Sequence, residues 1–396
     1  MLLKFGIFDN YYEIFYKILN LYDVNKILNK MDTTDDKRIV LTLDAGGTNF
    51  VFSAIQGNKE VVKPIGKPSN AHDLELCLNT MISGFEEVIA KLDEKPVAIS
   101  FAFPGPADYP NGIIEELGNL PAFKGGVALG PMLEEKFGLP VFINNDGDLF
   151  AYGEAIAGLL PFVNSELEKA GNPKRFHNLI GVTLGTGFGA GFVRKGELFI
   201  GDNSMAAEVW LLRDKFYPEM NVEESISIRA IQRVYRDKSG DDSELTPKDI
   251  YDIAKGNREG DPEAAKAAFS QLGEALGDAL GDLVTLIDGI VVIGGGVSGA
   301  YDLIAPAMFK EMNATYKNFA GEVYRRVVQV PFDLEDENEL KKFIQGEMKE
   351  VNVPLSDKKV KYDPLARTGV GLTRLGASRA ISIGAYAYAL NELDKE

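Results

Sequence analysis

Two stretches of this chain share one unusual layout: a strand of β-branched and apolar residues, a glycine-rich turn, and a returning strand. The first runs from Arg38 to Leu43, through Asp44-Ala-Gly-Gly-Thr-Asn49, and back along Phe50 to Ile55. The second runs from Leu179 to Leu184, through Gly185-Thr-Gly-Phe-Gly189, and back along Ala190 to Arg194. Reversing a chain this tightly favours residues without a β-carbon. The interval between the two copies is too wide for a solenoid repeat and predicts a duplicated α/β domain. Length agrees, since 396 residues exceed what one hydrophobic core usually serves.

The remaining segments fit two such units. Leu74, Cys77, Leu78, Met81, Phe85, Val88 and Ile89 recur at helical spacing, which makes Cys77 a core residue. Val97 to Phe103 reads as a buried strand ending at Pro104-Gly-Pro106, and Val141 to Ile143 as a short strand entering Asn144-Asn-Asp-Gly147. Helices are predicted over 149–160, 224–236 and 261–287, then a strand from Ile290 to Ile293 and an Ala-rich helix from Ser378 to Leu393. Residues 310–377, with an acidic run from Asp333 to Glu339, read as an insertion. The implied domains are 32–155 plus 379–396, and 156–378 including that insertion. Residues 1–31 stand apart. Their aromatic run is broken by Asp9, Glu13 and Lys17, so neither a transmembrane helix nor a signal peptide is supported. A docking helix and an over-extended start ahead of Met31 both explain the extension, and the second is the preferred reading.

A glycine turn between two strands points backbone N–H groups at one spot and leaves room for a phosphate. Alone, each is equally a plain hairpin turn. Two in the same relative position, with the Thr48 and Thr186 hydroxyls inside them, point to a polyphosphate gripped from both sides. Asp44 can hold a hydrated Mg²⁺ there, or simply initiate its turn. No P-loop pattern occurs. Gly294-Gly-Gly-Val-Ser-Gly299 formally satisfies the dinucleotide fingerprint of an oxidoreductase. Its position after two glycine hairpins favours a strand-to-helix turn lying against an adenine or ribose. Asp146, just past a strand end, is the candidate general base, and otherwise a helix N-cap, a role Asp148 can also take. Glu208 and Glu223 each read, taken alone, as solvated glutamates. The net charge of -17 argues against nucleic-acid and membrane partners, and one cysteine fits a reducing compartment. With one cysteine and two histidines, a His/Cys metal site is close to excluded.

From about Val40 to Phe309, and again from Leu375 to Leu390, the chain resembles the repressor, open-reading-frame and kinase (ROK) family of sugar kinases. The resemblance is carried by Asp44-Ala-Gly-Gly-Thr-Asn49, Phe103-Pro-Gly-Pro106, Gly118-Asn-Leu-Pro121, Asn144-Asn-Asp146, Leu184-Gly-Thr-Gly-Phe-Gly189 and Val291-Val-Ile-Gly-Gly-Gly-Val-Ser298. It implies two actin-like (ribonuclease H-like) domains closing over ATP and a hexose. It also implies phosphate contacts from Asp44, Gly46, Gly47, Thr48, Asn49, Gly185, Thr186 and Gly187, with Gly294, Gly295 and Gly296 at the adenosine. Asp146 would act on the 6-hydroxyl, with Asn119, Asn145, Glu208 and Glu223 on the other hydroxyls. One departure stands out. The family follows its first glutamate with a histidine and three cysteines that bind zinc, whereas here Glu208-Val-Trp-Leu211 puts Leu211 at the histidine position and Asn221 at the last cysteine. Trp210 reads as a core tryptophan.

The expectation is therefore a cytoplasmic, ATP- and Mg²⁺-dependent hexose 6-kinase without zinc, compatible with a homodimer. A kinase for an N-acetylated amino sugar and a catalytically idle sugar sensor are the alternatives. An oxidoreductase is a distant third.

Overall fold

The computed structural model describes residues 32–46, 48–105, 107–115 and 122–395. The extension 1–31, Gly47 and Asn119 lie outside the described residues. Among those described, no helix is long and apolar enough to cross a membrane.

In the first domain, β1 (Val40–Ala45) and β2 (Asn49–Gln56) pair antiparallel across the first glycine turn, with Ala45 opposite Phe50. β3 (Lys59–Glu60) and β4 (Ile65–Pro68) both add to β2. α1 (Leu74–Ile89) starts at Asp73, whose side chain accepts from the Leu76 N–H. It buries Cys77, Met81, Phe85 and Val88, so the cysteine is a core residue, as its spacing implies. β5 (Ala98–Ala102) lies parallel to β1. A small sheet of β6 (Ala107–Asp108), β7 (Ile113–Ile114) and β8 (Val127–Ala128) precedes α2 (Leu129–Phe137). β9 (Val141–Asn144) then completes the main sheet beside β5, giving the order β3-β2-β1-β5-β9.

α3 (Asp146–Ala157) and α4 (Leu159–Lys169) lead to β10 (Leu179–Leu184), β11 (Phe188–Arg194) and β12 (Glu197–Leu198). Three helices follow: α5 (Ile228–Ser239), α6 (Pro247–Ala254) and α7 (Pro262–Ile287). β13 (Ile290–Gly294) and α8 (Tyr301–Met312) come next, then a hairpin of β14 (Thr315–Lys317) and β15 (Val323–Arg325). After β16 (Val330–Asp333) and α9 (Glu337–Gln345) stands a second hairpin, β17 (Lys349–Asn352) and β18 (Lys359–Tyr362). β19 (Arg367–Leu372) and α10 (Ala377–Leu393) end the chain. The second sheet has the order β12-β11-β10-β13-β19-β16. Its first five strands repeat the first sheet in order and in sense. The two glycine turns thus occupy equivalent places, at the end of the strand around which each sheet is built.

Helices α3 and α10 each follow the fifth strand of one sheet and pack on the other sheet. α3 lies on β10 and β11, and α10 lies on β1 and β5. Small residues let α3 come close, since a β-carbon on Gly147 would lie 2.4 Å from the Ala190 carbonyl oxygen. Where the helices cross, a β-carbon on Gly153 would lie 1.9 Å from the Ala380 carbonyl oxygen, and one on Gly384 2.0 Å from that of Leu149. The buried Glu154 fastens the crossing. Its carboxylate accepts from the Thr373 hydroxyl at 2.5 Å and from the Leu159 and Leu375 N–H groups at 2.8 and 3.1 Å.

The stretch 310–377 is not one insertion. It supplies β16 and β19 to the second sheet, and only the two hairpins project from it. The acidic run is the end of β16 plus the first turn of α9, capped by Asp336. Short strands separated by irregular loops leave too little periodicity to read.

The second hairpin is anchored by a fully buried ion pair, Arg367 to Asp363 at 2.6 Å. Burial opposes ionisation of Asp363, but hydrogen bonds from Asn172, the Glu347 N–H and Arg367 outweigh it and hold the carboxyl at about 2. Asp363→Asn would leave the Arg367 charge buried without its partner and should cost about 3–5 kcal/mol in a melting experiment. Because the folded value is depressed, the wild-type contribution should be fully present above about pH 4 and vanish as the pH falls towards 2.

Candidate active site

Both glycine turns open into the space between the sheets. In the first, Gly46 is required because a β-carbon there would sit 2.8 Å from the Asn49 carbonyl oxygen. Thr48 and Asn49 are exposed at its rim. Asp44, on β1 opposite Val51, is reached by solvent, yet partial burial raises its carboxyl. In the second, Gly185 donates to the Gly187 carbonyl at 3.1 Å, and the Thr186 side chain is exposed. Glu223 is drawn to this turn. Its carboxylate accepts from the Phe188 N–H at 3.0 Å and from Arg229 at 2.9 Å, and a β-carbon on Gly187 would lie 2.4 Å from it.

Gly294 to Gly296 join β13 to a 3-10 turn, Gly296–Ala300, and then to α8. Gly295 has φ 87° and lies against β10, where a β-carbon would meet the Leu184 carbonyl oxygen at 2.3 Å. The third glycine motif therefore stands beside the second turn, in the interior of the second sheet.

Asp146 is the first residue of α3. Its neighbour Asn145 is the N-cap, with a side chain that accepts from the Gly147 N–H at 2.8 Å. The Asp146 carboxylate accepts from the same N–H at 2.9 Å, beside the Asn145 cap, and Asp148 is not needed there. Asp146 is reached by solvent, yet the protein crowded around it in the cleft raises its carboxyl; backbone N–H groups of Gly147 and of Asp146 itself oppose the rise, and the charge of Asp44 adds to it. These two oxygen donors suit a hard divalent cation, whose charge would relieve their repulsion. Asp148, two residues on, is buried, and its Oδ1 has no hydrogen-bond partner. Burial first, then the charges of Asp146 and Glu208, push its carboxyl up to about 8. Glu208 is half-buried and accepts from the Trp210 Nε1–H. Trp210 thus combines core contacts with a polar role.

The loop between Glu208 and Glu223 closes through its own backbone. Arg213 bridges to Asn221, the Val222 N–H donates to Leu212 at 2.7 Å, and the buried Asp214 accepts from Phe216 and Tyr217. Leu211 is exposed.

Three features escaped the sequence. A cavity of about 560 Å³ next to Asp44 is lined by Thr42, Ser53, Ser378, Arg379 and Ser382, which only the crossing of α10 brings together. Glu154 had no local signal as a fastener. Asp148 had a weak one, a carboxylate leading into the apolar Leu149-Phe-Ala151.

A family model described as the ROK family matches residues 40–333. An N-acetyl-D-glucosamine kinase of Vibrio vulnificus is 30% identical over 290 residues, 68% of this chain and 87% of that protein. The crystal structure of a glucokinase from Parabacteroides distasonis is 56% identical, with a TM-score of 0.84, covering 91% of this chain and 99% of the other. A ROK hexokinase from Thermus thermophilus shares the fold at 20% identity and a TM-score of 0.63, over 90% and 99% of the two chains.

The Asp148 carboxyl sits far above its unfolded value, so folding holds it protonated while the unfolded chain releases the proton. That penalty should grow from about pH 4 to pH 8 and then level off. Asp148→Asn should therefore stabilise the fold more at pH 8 than at pH 5, by at most about 1.4 kcal/mol for each pH unit between them, as read from denaturant melts at the two pH values.

Proposed function

This chain belongs to the ROK family and is an ATP-dependent sugar kinase, and from that premise we propose that it phosphorylates glucose at the 6-hydroxyl. The observation that carries the reading is Asp146, at the head of α3 where Asn145 supplies the cap, leaving the outer oxygen of Asp146 to face a cleft between two equivalent glycine turns. Its similarity to a glucokinase supports glucose as acceptor. An N-acetylated amino sugar is the second reading, supported by the Vibrio relative.

In this mechanism the N–H groups of the two turns hold the phosphates of ATP, with Thr48, Asn49 and Thr186 at their rims. Gly294 to Gly296 flank the adenosine. Asp44 would hold Mg²⁺ through water, and the ion would supply charge neutralisation for the phosphates of ATP. Asn145 and Glu208 orient the sugar, and Asn119 joins them by the family resemblance. We assign Glu223 to ordering the second turn, because Phe188 and Arg229 already occupy its carboxylate. As the O6–phosphorus bond forms and the bond to the β-phosphate oxygen breaks, Asp146 takes the hydroxyl proton and ADP leaves. A carboxyl raised by burial is a stronger base than an exposed one. ATP and the single cysteine favour a cytoplasmic setting.

We further propose that no zinc is involved, since backbone pairing and Asp214 close the loop before Glu223. Elemental analysis of the purified protein should find no stoichiometric zinc; one tightly held ion per chain would refute this.

Asp146→Asn can still hydrogen-bond the sugar but cannot accept its proton. It should lower kcat by about 10²–10⁴-fold while largely keeping sugar affinity. The check is coupled ADP release with glucose and with N-acetylglucosamine, for wild type and variant. Near-normal turnover in the variant would remove the proposed base, and wild-type preference for N-acetylglucosamine would replace glucose as acceptor.

A further inference from the structure

The loop from Glu208 to Glu223 brings a carboxylate to the sugar side of the cleft, yet little regular structure holds it. Its helical content is one 3-10 turn at each end, Val209–Leu211 and Val222–Glu224. Between them the chain doubles back, with Arg213 bridged to Asn221 and the Asp214 N–H donating to the Met220 carbonyl at 3.0 Å. The buried Asp214 shapes the tip by accepting from the Phe216 and Tyr217 N–H groups. These contacts fix the outline of the loop but not its place on the domain. Trp210, Leu212 and Phe216 rest on the core of the second domain, each only partly buried, and apolar contact has no direction of its own.

Lys215, at the tip, supplies the direction. Its ammonium reaches Glu274 on α7 at 2.8 Å and Glu311 on α8 at 2.5 Å. Glu311 also faces Arg326 at 3.8 Å, and Arg326, only 5% exposed, pairs with Asp278 at 2.7 Å and Asp282 at 3.3 Å on α7. An isolated surface ion pair is worth little, but this is one network whose central arginine is buried. Lys215 is its link to the loop. At the loop's other end, the Trp210 Nε1–H donates to Glu208, so the position of that carboxylate follows the position of the loop. Glu223 is held differently, because Phe188 and Arg229 grip it without help from the tip. Loosening the tip would therefore disturb the sugar side of the cleft and spare the second phosphate turn. We propose that Lys215 is a positioning residue for the sugar acceptor, clamping the loop onto α7 and α8 and so holding Trp210 and Glu208 in place. The proposal rests on the reading of Glu208 as a sugar contact.

Trp210 is the single tryptophan of the sequence, so intrinsic fluorescence reports on this loop whether or not a sugar turns over. The experiment compares Lys215→Met, which removes the charge and keeps an apolar stem, with Lys215→Arg. Lys248→Met is the control, since it removes the same charge from an exposed pair on α6. In Lys215→Met, acrylamide quenching of Trp210 should rise. The KM for the sugar that the wild type accepts should rise on the order of 10-fold, as expected for one member of a coupled network, with kcat and the KM for ATP nearly unchanged. Lys215→Arg, whose planar fork can still bridge two carboxylates, should restore both readings. If Lys215→Met melts too low to assay, Glu274→Gln removes one of the two partners and must show the same split. Unchanged quenching and unchanged sugar KM in Lys215→Met overturn the proposal. So does a fall in kcat at constant KM, a failure of Lys215→Arg to rescue, or an equal effect of Lys248→Met. A wild type that turns over no sugar would strike the kinase reading instead, and Trp210 quenching would then decide by itself whether Lys215 holds the loop.

Discussion

The contact between α3 and α10 constrains everything else in this molecule. Each helix leaves one sheet and covers the other, so the two halves meet backbone to backbone at Gly153 and Gly384, with the Tyr152 and Tyr388 rings packed edge to face beside them. A crossing this close fixes the distance between the two sheets and leaves no room for a larger residue at either glycine. Glu154 adds direction, since its carboxylate ties α3 to the turn that feeds α10. The first residues of both helices open towards the cleft. Asp146 heads one and Ser378 and Arg379 head the other, so the crossing places both ends of the site.

Electrostatics at the cleft follow from that arrangement. Asp44 comes from the first sheet, Asp146 and Asp148 from the first turn of α3, and Glu208 from the second domain. Desolvation raises the carboxyls of Asp44, Asp146 and Asp148, neighbouring carboxylate charge adds to the last two, and the gathered acids leave the site poorly suited to a bare polyphosphate. Backbone N–H groups of the two turns and a divalent cation are what make an anionic donor acceptable there. Long-range attraction contributes nothing, given the sign of the overall charge.

What the sequence disclosed was local in origin. The glycine turns, the strands around them and the Asn144-Asn-Asp146 segment each carry their chemistry in consecutive residues, and the duplication was visible because both copies kept the same turn. Cys77 was legible for the same reason, through helical spacing. Interactions closed by the fold were not. Glu223 looked like a free glutamate because Phe188 and Arg229 approach it only after the loop folds back. Glu154 meets Thr373 across more than two hundred residues of chain. β16 and β19 are short and interrupted, and their place in the sheet is set by neighbours, not by their own pattern.

The exchange of helices also dictates an order of assembly. The inner face of the first sheet, with Val40, Ile55 and Ala98, is covered by Tyr386, Ala389 and Leu390 from the last helix. During synthesis that face is complete in the first third of the chain, while its cover is made last. The nascent first sheet therefore waits, apolar side out, until nearly the whole polypeptide has left the ribosome, a period in which chaperones have something specific to hold.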